Sequence, residues 1–151
     1  METRSPSALE DHLGYWLRLV SNHVSGTFAT RLAEQDLAVA DWVVLRILQD
    51  GDATPSHVAS RLQMTRGAVT KIVDRLLARH LMSRRAADED GRSQWLALTT
   101  RGRALVPVLA ALADANDAEF FGTLCAPERK VLMMLLQKIA RGRTLQGIPV
   151  Q

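Results

Sequence analysis

The chain has 151 residues, a length that suits one folded domain, and nothing in it marks a linker between two. Its net charge is +3, its single cysteine excludes a disulfide framework, and without a signal-like start we expect a cytoplasmic protein. The longest apolar stretch, near residues 104–113, is too short to cross a bilayer and contains Pro107, so membrane insertion is not expected.

The charges are unevenly distributed. Residues 1–53 carry 4 basic and 8 acidic side chains, residues 54–103 carry 10 and 4, and residues 104–151 carry 5 and 4. The basic excess therefore falls in the middle third of the chain. Such an excess is the electrostatic footprint of a nucleic-acid-binding surface, although an ordinary solvated helical surface is the alternative.

The first predicted helix covers about residues 8–32 and starts with a capping box formed by Ser7 and Glu10. Two interior glycines weaken it by roughly 1 kcal/mol each relative to alanine, so packing must hold it. Part of that packing is expected from the next helix, which ends at Asp50-Gly51-Asp52, through Trp42, Val43, Leu45 and Leu48. The apolar stripe of the first helix is broader than one neighbour needs, and it comprises Leu13, Trp16, Leu17, Val20, Val24, Phe28 and Leu32.

A helix-turn-helix is predicted in the basic third. Thr54 followed by proline is a helix-start pair, and the short helix it opens runs over residues 55–62. After a tight turn, Thr65 caps a second helix that extends to about His80. The apolar residues of this second helix recur at helical spacing and predict one buried face, made of Val69, Ile72, Val73, Leu76 and Leu77.

The opposite face of this second helix combines small residues with long cationic ones, which suits close approach to a polyanion. The second member of a helix-turn-helix normally enters the major groove of DNA. The expected contacts are therefore Thr65, Arg66, Gly67, Thr70, Lys71 and Arg75.

Two short extended segments follow, at residues 82–87 and 94–98, and a polar loop joins them. A β-hairpin beside a helix-turn-helix is a wing, and its basic residues can reach the phosphate backbone or a narrow minor groove. The expected contacts are Arg84 and Arg85 at its base and Arg92 at its tip.

Two residues near the wing have alternative roles. Asp90 cannot favour phosphate, so we expect it to orient an arginine through charge-assisted hydrogen bonds. Arg75 either contacts DNA or pairs with Asp90 and braces the wing.

These motifs resemble the winged-helix regulators of the multiple antibiotic resistance regulator (MarR) family. The wing signature of that family is Asp, one residue, Arg, five residues and Leu-Thr, and it stands here from Asp90 to Thr99, with the usual glycine at Gly102. The pattern of the recognition helix matches residues 69–76. His80 stands where the family usually has glycine, so this helix end is either closed differently or strained in a left-handed conformation.

The resemblance implies a mainly α fold with a small β-hairpin wing. It also implies that members are homodimers joined through their N- and C-terminal helices. A two-fold dimer presents two recognition helices about one duplex turn apart, roughly 34 Å, and reads a pseudo-palindromic site. The expected division of the single domain, 1–151, is a winged helix-turn-helix lobe at 37–99 and dimerisation helices at 7–34 and 100–141.

The C-terminal part of the chain fits this division. Thr99 is predicted to cap a long helix over residues 100–122, and a last helix is predicted over residues 127–140. Terminal helices this apolar suggest that a second copy covers them. The last helix is expected to bury Val131, Leu132, Leu135, Leu136 and Ile139.

The resemblance further implies a small aromatic or phenolic effector, bound in a crevice between the dimer helices and the DNA-binding lobe. Such a ligand would favour a dimer shape that misfits the duplex. Aromatic side chains could sandwich its ring and a cation could pair with its carboxylate. That Trp16 and Trp42 are simply core residues is an equally open interpretation. The candidate ligand residues are His12, Tyr15, Trp16, Trp42 and Arg46.

The sequence thus predicts a homodimeric, sequence-specific regulator that binds double-stranded DNA, more a repressor than an activator, without a cofactor. One alternative is a winged-helix module that docks on an acidic protein partner, and another is a redox-sensing regulator that uses Cys125. The four histidines show no metal-ligand spacing and no catalytic motif is present, so no enzyme is predicted.

Overall fold

A computed structural model describes residues 5–86, 89 and 94–150 of the chain. The fold of this described part is mainly α with a two-stranded antiparallel hairpin, which confirms the predicted class. Among its helices none is long and apolar enough to cross a membrane. The elements are α1 (Leu13–Ala33), α2 (Val39–Asp50), α3 (Pro55–Leu62), α4 (Arg66–Ala78), β1 (Met82–Ala86), β2 (Gln94–Leu98), α5 (Thr100–Phe121) and α6 (Ala126–Gly142), with a 3-10 turn at Leu9–Asp11 before α1.

The predicted start of the first helix is wrong. In place of a capping box between Ser7 and Glu10, the carboxylate of Asp11 accepts the backbone N–H of Ala8 at 2.9 Å and closes the 3-10 turn. The next residue is extended, so α1 begins five residues later than expected. The indole N–H of Trp16 donates to the carbonyl of Glu10 at 2.9 Å and ties the turn to the helix.

The helix-turn-helix forms as its local signals predict. The Thr54 hydroxyl accepts the N–H of His57 at the start of α3, and the Thr65 hydroxyl accepts the N–H of Ala68 at the start of α4, each at 3.2 Å. Between them, Gln63 adopts a left-handed conformation with φ of 51° and turns the chain.

The core lies between α2, α3, α4 and the hairpin. Helical periodicity places the apolar residues of these helices on facing sides, and each large side chain buried there contributes roughly 1.5–3 kcal/mol. The side chains at most 1% exposed in this lobe include Val44, Leu45, Leu48, Val58, Val69, Val73, Leu76, Leu81 and Leu96.

The hairpin is anchored to the lobe through β2. The strands are antiparallel and pair without interruption from Met82 with Leu98 to Ala86 with Gln94. Leu96 also exchanges two backbone hydrogen bonds with Ala53, at 2.8 and 3.1 Å. This bridge to the segment between α2 and α3 sets where the base of the hairpin lies relative to α4.

The junction between α4 and α5 depends on two unusual backbone sites. His80 is left-handed, with φ of 55°, and its carbonyl accepts the Thr99 hydroxyl at 2.7 Å. Thr99 caps α5 by accepting the N–H of Gly102 at 3.0 Å. A Cβ at Gly102 would lie 2.0 Å from the carbonyl oxygen of Leu81, so only glycine fits at this crossing.

The terminal helices α1 and α5 join the core through Leu32, Val106 and Leu109, which are buried. Helix α5 packs on α1 and α2, and the side-chain amide of Asn116 donates to the carbonyl of Val24 at 3.2 Å. An ion pair between Arg31 and Glu119 also joins α1 to α5. At the start of α6, the carboxylate of Glu128 accepts the Cys125 N–H at 2.8 Å, and this hydrogen bond lowers the pKa of Glu128.

The prediction that the last helix buries its apolar stripe is wrong for the single chain. No residue of α6 is buried. Val131 is 49% exposed and Ile139 is 52% exposed, and the first half of α1 is similarly bare. Helical periodicity identifies an apolar face, but whether anything covers it depends on neighbours that one copy does not supply.

Candidate nucleic-acid interface

The exposed side of α4 carries the residues that the sequence assigns to the major groove. Arg66, Gly67, Thr70 and Lys71 all face solvent, while the opposite side of the helix is buried. Apart from the adjacent residues and the backbone of α4 itself, no atom of the described residues would lie within 4 Å of a Cβ at Gly67, so the helix surface is open there. A narrow, unobstructed ridge of this kind can approach base edges closely.

A polar depression lies next to this ridge, where α3, α4 and β2 meet. It has a volume of about 220 Å³ and is lined by Ser56, Arg66, Thr70 and Gln94 together with Pro55 at the start of α3. The guanidinium of Arg66 adds positive charge, and the side chains of Ser56 and Gln94 offer hydrogen-bond donors. These features suit the phosphate backbone that borders a groove.

Arg75 is held by a residue that the sequence pattern did not single out. Its guanidinium donates to one carboxylate oxygen of Asp41 in α2, from Nη2 at 2.5 Å and from Nε at 3.2 Å. Asp41 is only 1% exposed, and its other oxygen accepts the N–H of Ala38 at 2.8 Å. Arg75 therefore braces α4 against α2, while its side chain remains 46% exposed. The alternative partner, Asp90, lies outside the described residues.

Sequence spacing offered one signal for this brace. Asp41 stands three residues after the N-cap of α2, the position at which an acidic side chain can cap the helix. Its second partner is 34 residues away in the chain, so the pair emerges only when α4 packs across α2.

The arginines at the base of the wing are also engaged. Arg84 lies 3.5 Å from the carboxylate of Asp74 in α4, and Arg85 lies 3.0 Å from that of Asp52. Adjacent strand residues point to opposite sides, which explains their different partners. Both pairs are largely open to solvent, and Arg92 at the predicted tip lies outside the described residues.

One copy of the chain does not bring the five predicted ligand residues together. His12 and Tyr15 line a shallow groove along the first part of α1, whereas Trp16 lines a groove between α1, α5 and α6. Trp42 lines a third cavity, and Arg46 pairs with Asp50 at 2.7 Å on its own helix. The reason is distance. Trp42 of α2 lies beside Phe28 in the second half of α1, and the twelve residues of helix from Trp16 to Phe28 span roughly 18 Å.

The sequence predicts Trp42 as a candidate ligand residue, but it does not predict the other residues of this third cavity. It lies between α1, α2 and α5, has a volume of about 760 Å³, and is lined by Phe28, Trp42 and Asn116 among others. Asn116 is 4% exposed, and no donor among the described residues reaches its Oδ1. A buried acceptor without a partner is costly. A lone Asn in an apolar helix is its only sequence signal.

A short helix, a left-handed turn, an exposed cationic helix and an anchored hairpin together define a winged helix-turn-helix, which is a class of DNA-binding protein. A family profile described as the MarR family matches residues 35–93, from the end of α1 into the hairpin. Over that region the chain is similar to the MarR family of transcriptional regulators.

Relatives and solved structures extend this likeness over most of the chain. The transcriptional repressor Rv2887 of Mycobacterium tuberculosis is 29% identical over 128 residues, covering 84% of this chain and 92% of that protein. A structure of Bordetella bronchiseptica BpsR, whose DNA binding is regulated by 6-hydroxynicotinic acid, is 28% identical with a TM-score of 0.76, covering 90% and 98%. A mutant MarR of E. coli in complex with operator DNA is 26% identical with a TM-score of 0.72, covering 84% and 92%.

Proposed function

We propose that this protein is a sequence-specific transcriptional repressor that binds double-stranded DNA through α4 and the hairpin. The observation that carries the proposal is that some cations of this surface are paired with carboxylates and others are not. Arg75, Arg84 and Arg85 are paired with carboxylates and position the surface. Arg66 and Lys71 face solvent, and no carboxylate among the described residues lies within ion-pair distance of either. Unpaired cations on a rigid helix are suited to phosphates and base edges.

The repressor is proposed to act as a homodimer. The apolar faces of α1 and α6 are bare in one copy, and Leu13, Met133 and Met134 are each more than half exposed. A contiguous apolar patch of this kind marks an interface. We assign dimerisation to residues 7–34 and 100–141 and DNA reading to residues 37–99, so that two recognition helices meet a pseudo-palindromic operator.

The repressor is also proposed to release DNA when it binds a small aromatic or phenolic acid. The cavity beside Trp42 supports this proposal because it is mostly apolar and is lined by the aromatic side chains of Phe28 and Trp42. The effect of 6-hydroxynicotinic acid on BpsR shows that a structural relative responds to a ligand of this class. The relatives are described as regulators rather than enzymes, and we assign no catalytic activity to this chain.

A mobility-shift titration tests the DNA-binding proposal. The duplex from the region upstream of the chain's own gene should bind more tightly than a scrambled duplex, with an affinity that falls steeply as salt rises. Lys71→Ala should weaken binding and reduce the salt slope by about 1, whereas Arg66→Ala should also alter sequence preference. Lys130→Ala, which removes a cation from α6, is the charge-matched control and should leave the slope unchanged.

The competing function, docking on an acidic protein, predicts a different outcome. Binding to both duplexes would then be weak and equal, and Lys71→Ala would not differ from Lys130→Ala. That result would refute the repressor proposal.

A further inference from the structure

The chain does not end with α6. Thr144 is left-handed, with φ of 52°, and the N–H of Leu145 donates to the carbonyl of Ala140 at 2.9 Å, which closes the helix and reverses the chain. The segment that follows returns to the DNA-binding lobe. We name residues 143–150 the C-terminal strap.

The strap is hydrogen-bonded to the helix-turn-helix. The N–H of Ile148 donates to the carbonyl of Arg61 at 3.0 Å. Arg61 lies in the last turn of α3, where carbonyl groups have no partner within the helix, so the strap satisfies one of them.

The strap also lies directly on the turn between α3 and α4. Gly147 has φ of 91°, and a Cβ there would lie 2.7 Å from the side-chain Cδ of Gln63. Gln63 is the left-handed residue that turns the chain into α4. The strap backbone therefore contacts the side chain of the residue at which the chain turns into the recognition helix.

The same segment forms part of the wall of the cavity beside Trp42. Ile148 and Val150 are partly buried against the core, and with Pro149 they line the cavity opposite Phe28. One short segment thus joins the cavity to the helix-turn-helix. A ligand in the cavity would lie against this segment.

We infer that the C-terminal strap gates this cavity and transmits its occupancy to the turn between α3 and α4. This inference rests on the proposed function, since it describes how a cavity ligand would reach the DNA-reading helix. With the strap docked, the cavity is partly filled by the chain itself. A ligand that displaces the strap breaks the hydrogen bond from Ile148 to Arg61 and frees Gln63 from Gly147. Because the strap and the ligand compete, weakening the strap strengthens ligand binding by up to the same factor, until the strap is no longer docked.

Hydrogen exchange on the full-length protein tests whether the strap is docked. The amide of Ile148 should exchange at least about tenfold more slowly than in an unstructured peptide, because its N–H is bonded to Arg61. Exchange at the peptide rate would overturn the inference.

Strap variants then test the gate. In a background of Trp16→Phe and Trp95→Phe, the remaining Trp42 reports on the cavity, and the aromatic anion 8-anilinonaphthalene-1-sulfonate serves as the ligand probe. Ile148→Ala should raise acrylamide quenching of Trp42 and tighten probe binding by about tenfold, since it removes apolar contact from the docked strap. Leu145→Ala is the matched control, because that strap side chain is 65% exposed.

Gly147→Ala should act like Ile148→Ala, because the φ of 91° at this position strains the backbone of any residue with a side chain. Equal quenching and equal probe affinity in the Ile148 and Leu145 variants would refute the gate.

These measurements contain no DNA, so a failure of DNA binding would remove the proposed function and leave the gate standing. With the upstream duplex added, a chain ending at Thr144 should bind the probe more tightly yet lose less DNA affinity on binding it.

Discussion

Removing the carboxylate that braces the recognition helix should destabilise the fold measurably. Asp41→Ala breaks the pair with Arg75, whose shortest distance is 2.5 Å, and uncaps the N–H of Ala38 at 2.8 Å. A hydrogen bond to a charged group contributes about 1.5–3 kcal/mol, and we take the lower end because the Arg75 side chain is 46% exposed. The lost cap adds roughly 1 kcal/mol. The free energy of unfolding should therefore fall by about 2–3 kcal/mol.

Urea denaturation at a fixed protomer concentration measures this loss, since association contributes to apparent stability. Asp50→Ala is the matched control on the same helix. Asp50 also pairs with an arginine, Arg46, but its side chain is 74% exposed, so the expected loss is below about 0.5 kcal/mol. A double-mutant cycle of Asp41→Ala with Arg75→Met should show a coupling of about 1–2 kcal/mol. Equal losses for the Asp41 and Asp50 variants would refute the brace.

Three further predictions concern other parts of the fold. Gly102→Ala should destabilise by more than about 3 kcal/mol in urea denaturation, because its Cβ would overlap the Leu81 carbonyl, whereas Gly67→Ala should leave stability within about 1 kcal/mol. Leu135→Asp on the bare face of α6 should yield monomers in sedimentation velocity and weaken binding to the upstream duplex; an unchanged dimer would contradict the assigned interface. The pKa of Glu128 lies below its ordinary value of 4.5, so its stabilisation of α6 is present above that value and is lost as the pH falls through the lowered pKa. The protection of the amides at the start of α6, measured as their exchange rate relative to that of an unstructured peptide at the same pH, should therefore decrease on acidification in the native chain. It should not decrease in Glu128→Gln, and identical profiles in the two proteins would refute the cap.

Local signals in the sequence were sufficient for the DNA-reading elements. The hydroxyl caps Thr54 and Thr65 act on N–H groups three residues away, and the apolar spacing of α4 repeats within a few residues. Interactions of this range are present in the chain before any tertiary packing. For this reason the bounds of α3 agree with the prediction, and α4 ends two residues before its predicted end. The same reasoning failed at Ser7, where a competing carboxylate one position further on closed a different turn.

Tertiary structure decided the features that join distant parts of the chain. The brace from Asp41 to Arg75 spans 34 residues, and the strap reaches from Ile148 back to Arg61. Neither has a periodic or spaced signature that identifies both partners, because each pairing depends on where whole helices pack. The α6 stripe shows the same limit, since a sequence marks an apolar face but only packing determines what covers it. Capping and periodicity act over one or two helical turns, whereas pairing, burial and cavity formation depend on the relative placement of elements.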